Sequence, residues 1–113
     1  MIEFSSTDAL HHRIAGEPTF ADAKGARDRL DAAFAEVQAA SADSTVTRTV
    51  EVSLAGVTQG NSVLVSLMLV WMRRARRAGV GILFVDIPPL VSSLIEFTGL
   101  DEVLPMVKAE PAT

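Results

Sequence analysis

The sequence predicts an α/β domain, a small sandwich of strands and helices. Short apolar segments with strand character alternate with longer segments of helical spacing, in the order strand, helix, strand, helix, strand, helix. Glycine and proline fall between these segments rather than inside them. The chain has 113 residues, 49% of them apolar and 21% charged, which suits one folded domain with a core of its own. A single domain over 1–113 is therefore expected. Its middle strand–helix–strand unit reads as a right-handed parallel crossover.

The first strand is expected in "LHHRIA" (Leu10–Ala15), where Leu10, His12 and Ile14 share one face while His11 and Arg13 share the other. Gly16 and Pro18 end it. Thr19 followed three residues later by Asp22 has the spacing of a capping box, and an acid is favoured in a first helical turn. In the alanine-rich segment Ala21–Ala40, residues Ala26, Leu30, Ala33, Phe34 and Val37 recur at three- and four-residue spacing, the mark of an amphipathic helix. "SADSTVT" (Ser41–Thr47) reads as a flexible connection.

"TVEVSL" (Thr49–Leu54) is a strand with Val50, Val52 and Leu54 inward, and the turn "AGVTQG" leads to a second helix. "VGILFVDI" (Val80–Ile87) is apolar on both faces, which predicts a central strand covered on both sides. Pro88 and Pro89 stop it, and Pro89 suits the first position of a helix that runs through Leu90, Leu94, Ile95 and Thr98 to Gly99. "LDEVLP" closes the fold, with a loose tail over 107–113. No internal repeat is visible.

The second helix, "NSVLVSLMLVWMRRARRAG" (Asn61–Gly79), is apolar on nearly all sides before it turns basic. Gly79 after the arginines suits a left-handed C-terminal residue. At about 100° per residue, Val65, Met68, Leu69 and Met72 form one stripe, sufficient to cover a sheet. Val63, Leu67, Val70 and Trp71 form a second, continued by Arg74. Ser62, Ser66, Arg73 and Arg77 lie along an edge between the two. The second stripe is either covered by a further layer of this chain or buried by a partner. Its four residues would contribute roughly 1.5–3 kcal/mol each, comparable in sum to the ~4–15 kcal/mol cost of association. An apolar patch with a basic rim fits a protein interface. In isolation the same stripe is expected to self-associate. A membrane-surface helix fits less well, because the arginines are bunched at one end instead of spread along a polar face.

Other chemistry is poorly supported. The net charge of −4 argues against nucleic-acid binding. The absence of cysteine excludes disulfides, thiol catalysis and cysteine metal sites. His11 and His12 point to opposite strand faces and do not jointly chelate a metal. No nucleophile elbow, Walker-type loop or G-x-G-x-x-G loop occurs, so neither an enzyme nor a bound cofactor is expected. Asp86 ends a strand where α/β sites often lie, but a turn or cap residue before Pro88 and Pro89 explains it better. The N-terminus lacks a basic start followed by an apolar run, and the longest apolar run is about half the ~20 residues of a membrane span. A cytoplasmic protein without direct membrane insertion is expected.

Four stretches carry a family resemblance. Ser53-Leu54-Ala55-Gly56-Val57, followed by Asn61-Ser62-Val63-Leu64-Val65 opening a helix, resembles the central segment of STAS domains. "IAGEPTFADA" (Ile14–Ala23) and "FTGLDEVLP" (Phe97–Pro105) resemble that family's earlier turn and its closing elements, so the likeness covers about 8–106. It implies a mixed, mainly parallel sheet of about four strands with helices packed against it. Within the family the chain is most similar to the MlaB type. That implies a non-enzymatic subunit that binds the cytoplasmic MlaF-type ATPase of a phospholipid ABC transporter maintaining outer-membrane lipid asymmetry. MlaE- and MlaD-type subunits complete such a complex, which would hold the chain at the inner membrane. The resemblance implies docking at the start of this helix and its neighbouring turns, which with the second stripe gives Asn61, Ser62, Val63, Ser66, Leu67, Val70, Trp71 and Arg74 as the expected docking residues. The other branch, the anti-sigma factor antagonists, implies phosphorylation of Ser62. Asn61 and Leu64, which stand where that branch has Asp and Gly, argue against the switch and leave Ser62 a helix-capping residue at an interface edge.

Overall fold

A computed structural model describes residues 2–40, 48–58, 62–100 and 103. The expected connection Ser41–Thr47, Asn61, most of the closing segment and the tail lie outside the described residues. The chain forms β1 (Ile2–Asp8), β2 (His11–Gly16), α1 (Ala23–Ala40), β3 (Thr49–Val57), α2 (Ser62–Ala78), β4 (Gly81–Val85) and α3 (Pro89–Phe97). The sheet runs in the order β1-β2-β3-β4, with β1 antiparallel to β2 and the other pairs parallel. This is the mixed, mainly parallel α/β architecture that the sequence implied.

Strand β1 is an addition to the expected elements. Its residues "IEFSSTD" alternate weakly, and its pairing with β2 (Phe4 opposite Ile14, Ser6 opposite His12) defines it as a strand. Ile2 and Phe4 fall on the side of the sheet occupied by His12 and Ile14, where they pack on the core.

The two parallel crossovers, β2–α1–β3 and β3–α2–β4, step the same way along the sheet. Right-handed connections therefore put α1 and α2 side by side on one face, and the two helices pack together. Apart from the buried His12, that face is apolar: Ile14, Val50, Val52, Leu54, Ile82 and Phe84 are buried beneath Ala26, Leu30, Ala33, Phe34 and Val37 of α1 and the inner side of α2. All five expected positions of α1 lie in this core. The opposite face carries Glu3, Ser5, His11, Arg13, Glu51 and Ser53, all exposed or half-exposed. β4 departs from expectation here. It lies at the end of the described sheet, and Leu83 and Val85 on its far face are only half-buried, so it is not a central strand covered on both sides.

Local signals set the ends of the elements. Before α1, a single 3₁₀ turn (Phe20–Asp22) is held by the Asp22 carboxylate, which accepts from Thr19 N–H (2.9 Å), from Thr19 Oγ1 (2.8 Å) and from Ile2 N–H (3.2 Å). The Thr19 hydroxyl leads these contacts in holding the Asp22 carboxyl below the usual range. α2 ends at Gly79 with φ of 70°, where Gly79 N–H reaches Arg76 O (3.1 Å) and Val80 N–H reaches Ala75 O (2.9 Å), the Schellman pattern that only a residue tolerant of positive φ closes without strain. α3 begins with Pro89 at its first turn, as expected.

Candidate protein-docking surface

Because β2, β3 and β4 are parallel, their C-terminal ends meet at one end of the sheet, and each is followed by a turn that starts a helix. This is the end of a parallel sheet at which α/β proteins place their sites. The turn after β3 sits close to β2. Thr58 N–H bonds to Gly16 O at 3.1 Å, and β2 shifts register between Arg13 and Ala15. A Cβ on Gly56 would lie 2.6 Å from the Ala15 Cβ, so only glycine fits that approach. The glycine of the Ala55-Gly56-Val57 motif thus lets the end of β3 lie close against β2.

Ser62 is the first residue of α2 and is exposed, with Val63 half-buried beside it. Two large apolar side chains stand exposed on the flanking turns: Phe20, 85% exposed at the entry to α1, and Leu90, 72% exposed at the start of α3. Neither was singled out from the sequence. Phe20 sits in a short turn where no periodicity applies. The spacing makes Leu90 one of a helical series, but α3 instead buries Val91 and Ile95.

The far end of α2 overturns part of the expected division into stripes. Leu67 and Trp71 are buried within the chain, 4% and 0% exposed, and do not form a free face. Trp71 Nε1–H donates to Ala26 O of α1 (3.3 Å), and its ring meets Phe4 edge-on at 6.2 Å and Phe84 at 6.3 Å. Arg74 is likewise turned toward α1, donating to Asp31 Oδ2 at 2.6 Å. The physical reason is that α2 must cover both the sheet and the flank of α1, so its buried arc is wider than one sheet-facing stripe. Leu64, Val65, Met68, Met72 and Ala75 complete that arc, while Leu69, expected on the sheet, is only half-buried. Of the expected docking residues, Ser62 and Ser66 are exposed, and Val63 and Val70 are half-buried. Asn61 lies outside the described residues.

The rest of the polar chemistry reads as structural. His12 is 8% exposed, with one ring nitrogen on Ser6 Oγ (2.7 Å) and the other on Ala9 O (2.9 Å), so both are engaged. His11, on the open face, bonds Asp8 at 2.9 Å, which raises the imidazole pKa and lowers that of the carboxyl. Asp86, at φ of 53°, accepts from Ser53 Oγ at 2.8 Å, a left-handed turn conformation that aspartate tolerates. A groove of about 270 Å³ on the open face is lined by Ser5, His11, Arg13, Glu51 and Ser53 among others. No group of three or more His, Cys, Asp or Glu among the described residues has the placement to hold a metal.

A family model described as "Mlab, STAS domain" matches residues 9–108. The chain belongs to the STAS domain family. No curated protein matches the chain. Among solved structures, this STAS domain is similar to the anti-sigma factor antagonist SpoIIAA in its unphosphorylated form, at 18% identity over 98% of this chain and 90% of that one, with a TM-score of 0.66. It is also similar to an anti-sigma factor antagonist from Mycobacterium paratuberculosis, at 19% identity over 97% and 86% of the two chains, with a TM-score of 0.64. These likenesses establish the STAS fold. STAS domains mediate protein–protein interactions, and among the described residues no helix is long and apolar enough to cross a membrane. The STAS assignment therefore directs attention to surfaces on which a second protein sits.

Proposed function

We propose that this STAS domain is a non-enzymatic subunit that binds the cytoplasmic ATPase of an Mla-type phospholipid ABC transporter and supports its assembly and activity. It would dock through the end where α1, α2 and α3 begin. The observation that carries the docking site is the pair of exposed apolar side chains, Phe20 and Leu90, on either side of the α2 start at Ser62. Large apolar groups flanked by small polar ones are the composition of an interface core and rim. The MlaB description of the matching family supports the identity of the partner. In this reading the chain lies at the inner membrane through its complex with MlaF-, MlaE- and MlaD-type subunits.

Titration calorimetry of the purified chain against the MlaF-type ATPase tests this. Phe20→Asp and Leu90→Asp, both at exposed positions, are expected to weaken binding by at least tenfold each while circular dichroism and melting stay unchanged. Normal binding by both variants would place the interface elsewhere. Leu67→Asp does not serve as a probe, because Leu67 is buried and its loss unfolds the core.

A second reading, an anti-sigma factor antagonist controlled by phosphorylation of Ser62, is favoured by the exposure of that hydroxyl at a helix start and by the antagonists among the structural neighbours. It predicts a complex with an anti-sigma kinase that Ser62→Glu dissolves.

A further inference from the structure

The outward side of α2 changes character along its length. Ser62 and Ser66 are exposed at its start, Leu69 and Val70 are half-buried in its middle, and Arg73 and Arg77 are exposed toward its end. At about 100° per residue these six fall within an arc of about 100°. They form a ridge about 22 Å long at 1.5 Å per residue. The chain carries 14 acidic residues against 10 basic ones, so carboxylates are plentiful. Yet among the described residues Arg73, Arg76 and Arg77 have no ion-pair partner, while Arg74 on the same turn is paired with Asp31. The helix dipole accounts for cations in the last turn, Arg76 and Arg77, but Arg73 stands a turn earlier. Every cation of the helix is arginine, the side chain whose planar fork matches a carboxylate at two points.

We propose that this ridge is the second half of the docking surface and that it seats in a carboxylate-bearing groove of the partner protein. The serines allow close approach at one end, Leu69 and Val70 meet apolar side chains in the middle, and Arg73 and Arg77 each fork a partner carboxylate at the other. The acid excess of the chain opposes approach to nucleic acid or to an anionic bilayer. Leu69 and Val70 are already half-covered by their own fold, which leaves little apolar surface to insert into lipid. The proposal rests on the ATPase reading for the identity of the partner.

The test compares Arg73→Glu/Arg77→Glu and Arg73→Lys/Arg77→Lys with the unaltered chain. Affinity for the ATPase is measured at low and physiological salt, with phosphatidylglycerol vesicles as a second titrant. The expected result is at least tenfold weaker binding and a flatter salt dependence for the Glu variant. The Lys variant should be intermediate, and the vesicles should not bind. If the Glu variant keeps full affinity and salt dependence while Phe20→Asp still weakens the complex, the ridge proposal fails and the docking end stands. If the unaltered chain forms no complex with the ATPase, both fail. Arginine-dependent binding to the vesicles would replace the protein groove with a lipid surface.

Discussion

The two sides of α2 have nearly the same residue chemistry near the helix centre and opposite fates. Leu67 and Trp71 are buried in the core, Trp71 against α1, while Leu69 and Val70, only one or two positions away, remain half-open. Arg74 is folded back onto Asp31, whereas Arg73 and Arg77 have no ion-pair partner among the described residues. The difference comes from neighbours, not from composition. A helix that shares a layer with a second helix must bury a flank as well as its sheet-facing stripe, and that flank absorbs apolar residues that would otherwise advertise a partner. What remains outward is smaller and more polar, and it is the surface to which the docking proposal assigns recognition.

The sheet repeats the contrast with two adjacent histidines. His12 points into the helix-covered face, where Ser6 and Ala9 O engage both of its nitrogens. His11 points to the open face and meets Asp8 at 2.9 Å and Glu51 at 3.8 Å. One is a core residue with its polar atoms satisfied, the other a solvated charge partner.

The strongest way to break the comparison is at Trp71. Trp71→Ala should cost about 3–5 kcal/mol, a large part of the ~5–15 kcal/mol that holds a domain together, because it opens a cavity among Phe4, Phe84 and α1. Ser66→Ala on the outward side should stay within about 0.5 kcal/mol. Equal midpoints in urea unfolding would erase the distinction between the two sides. A smaller effect separates the arginines. A double-mutant cycle on Arg74 and Asp31 should return a coupling of about 0.2–1 kcal/mol, the pair being partly exposed. A parallel cycle on Arg73 and Asp31 should return none.

The smallest effect concerns His11. Its pKa is raised chiefly by the hydrogen bond with Asp8, so its share of stability is present below the ordinary histidine value and lost as the pH rises through the raised one. The Asp8 pKa is lowered chiefly by the same bond, so its share is present above the ordinary carboxylate value and lost as the pH falls through the lowered one. The pair therefore acts fully between about pH 4 and pH 6.5. The difference in urea stability between the unaltered chain and His11→Gln should peak in that window and fade on both sides. A flat difference would mean that the exposed pair contributes nothing.

Much of the architecture was legible in local sequence. The Thr19–Asp22 pair, the spacing of Ala26, Leu30, Ala33, Phe34 and Val37, the alternation in β3, and the roles of Gly79 and Pro89 all depend on residues within a turn or two of one another, and the structure repeats them. β1 was missed because "SSTD" has little strand propensity of its own and is held by its ladder to β2. Phe20 and Leu90 were missed because exposure of an apolar residue has no periodic signature. Only the strand order puts them, after β2 and β4, at the end of the sheet where α2 also begins after β3.

The sequence by itself determined the order of elements from β2 onward, most of their ends and the fact that α2 has more apolar surface than a sheet alone requires. The tertiary structure decided what covers the excess. Periodicity reports the direction of a side chain around its own helix axis, but not what stands in that direction. For Trp71 that was the carbonyl of Ala26, 45 residues earlier in the chain.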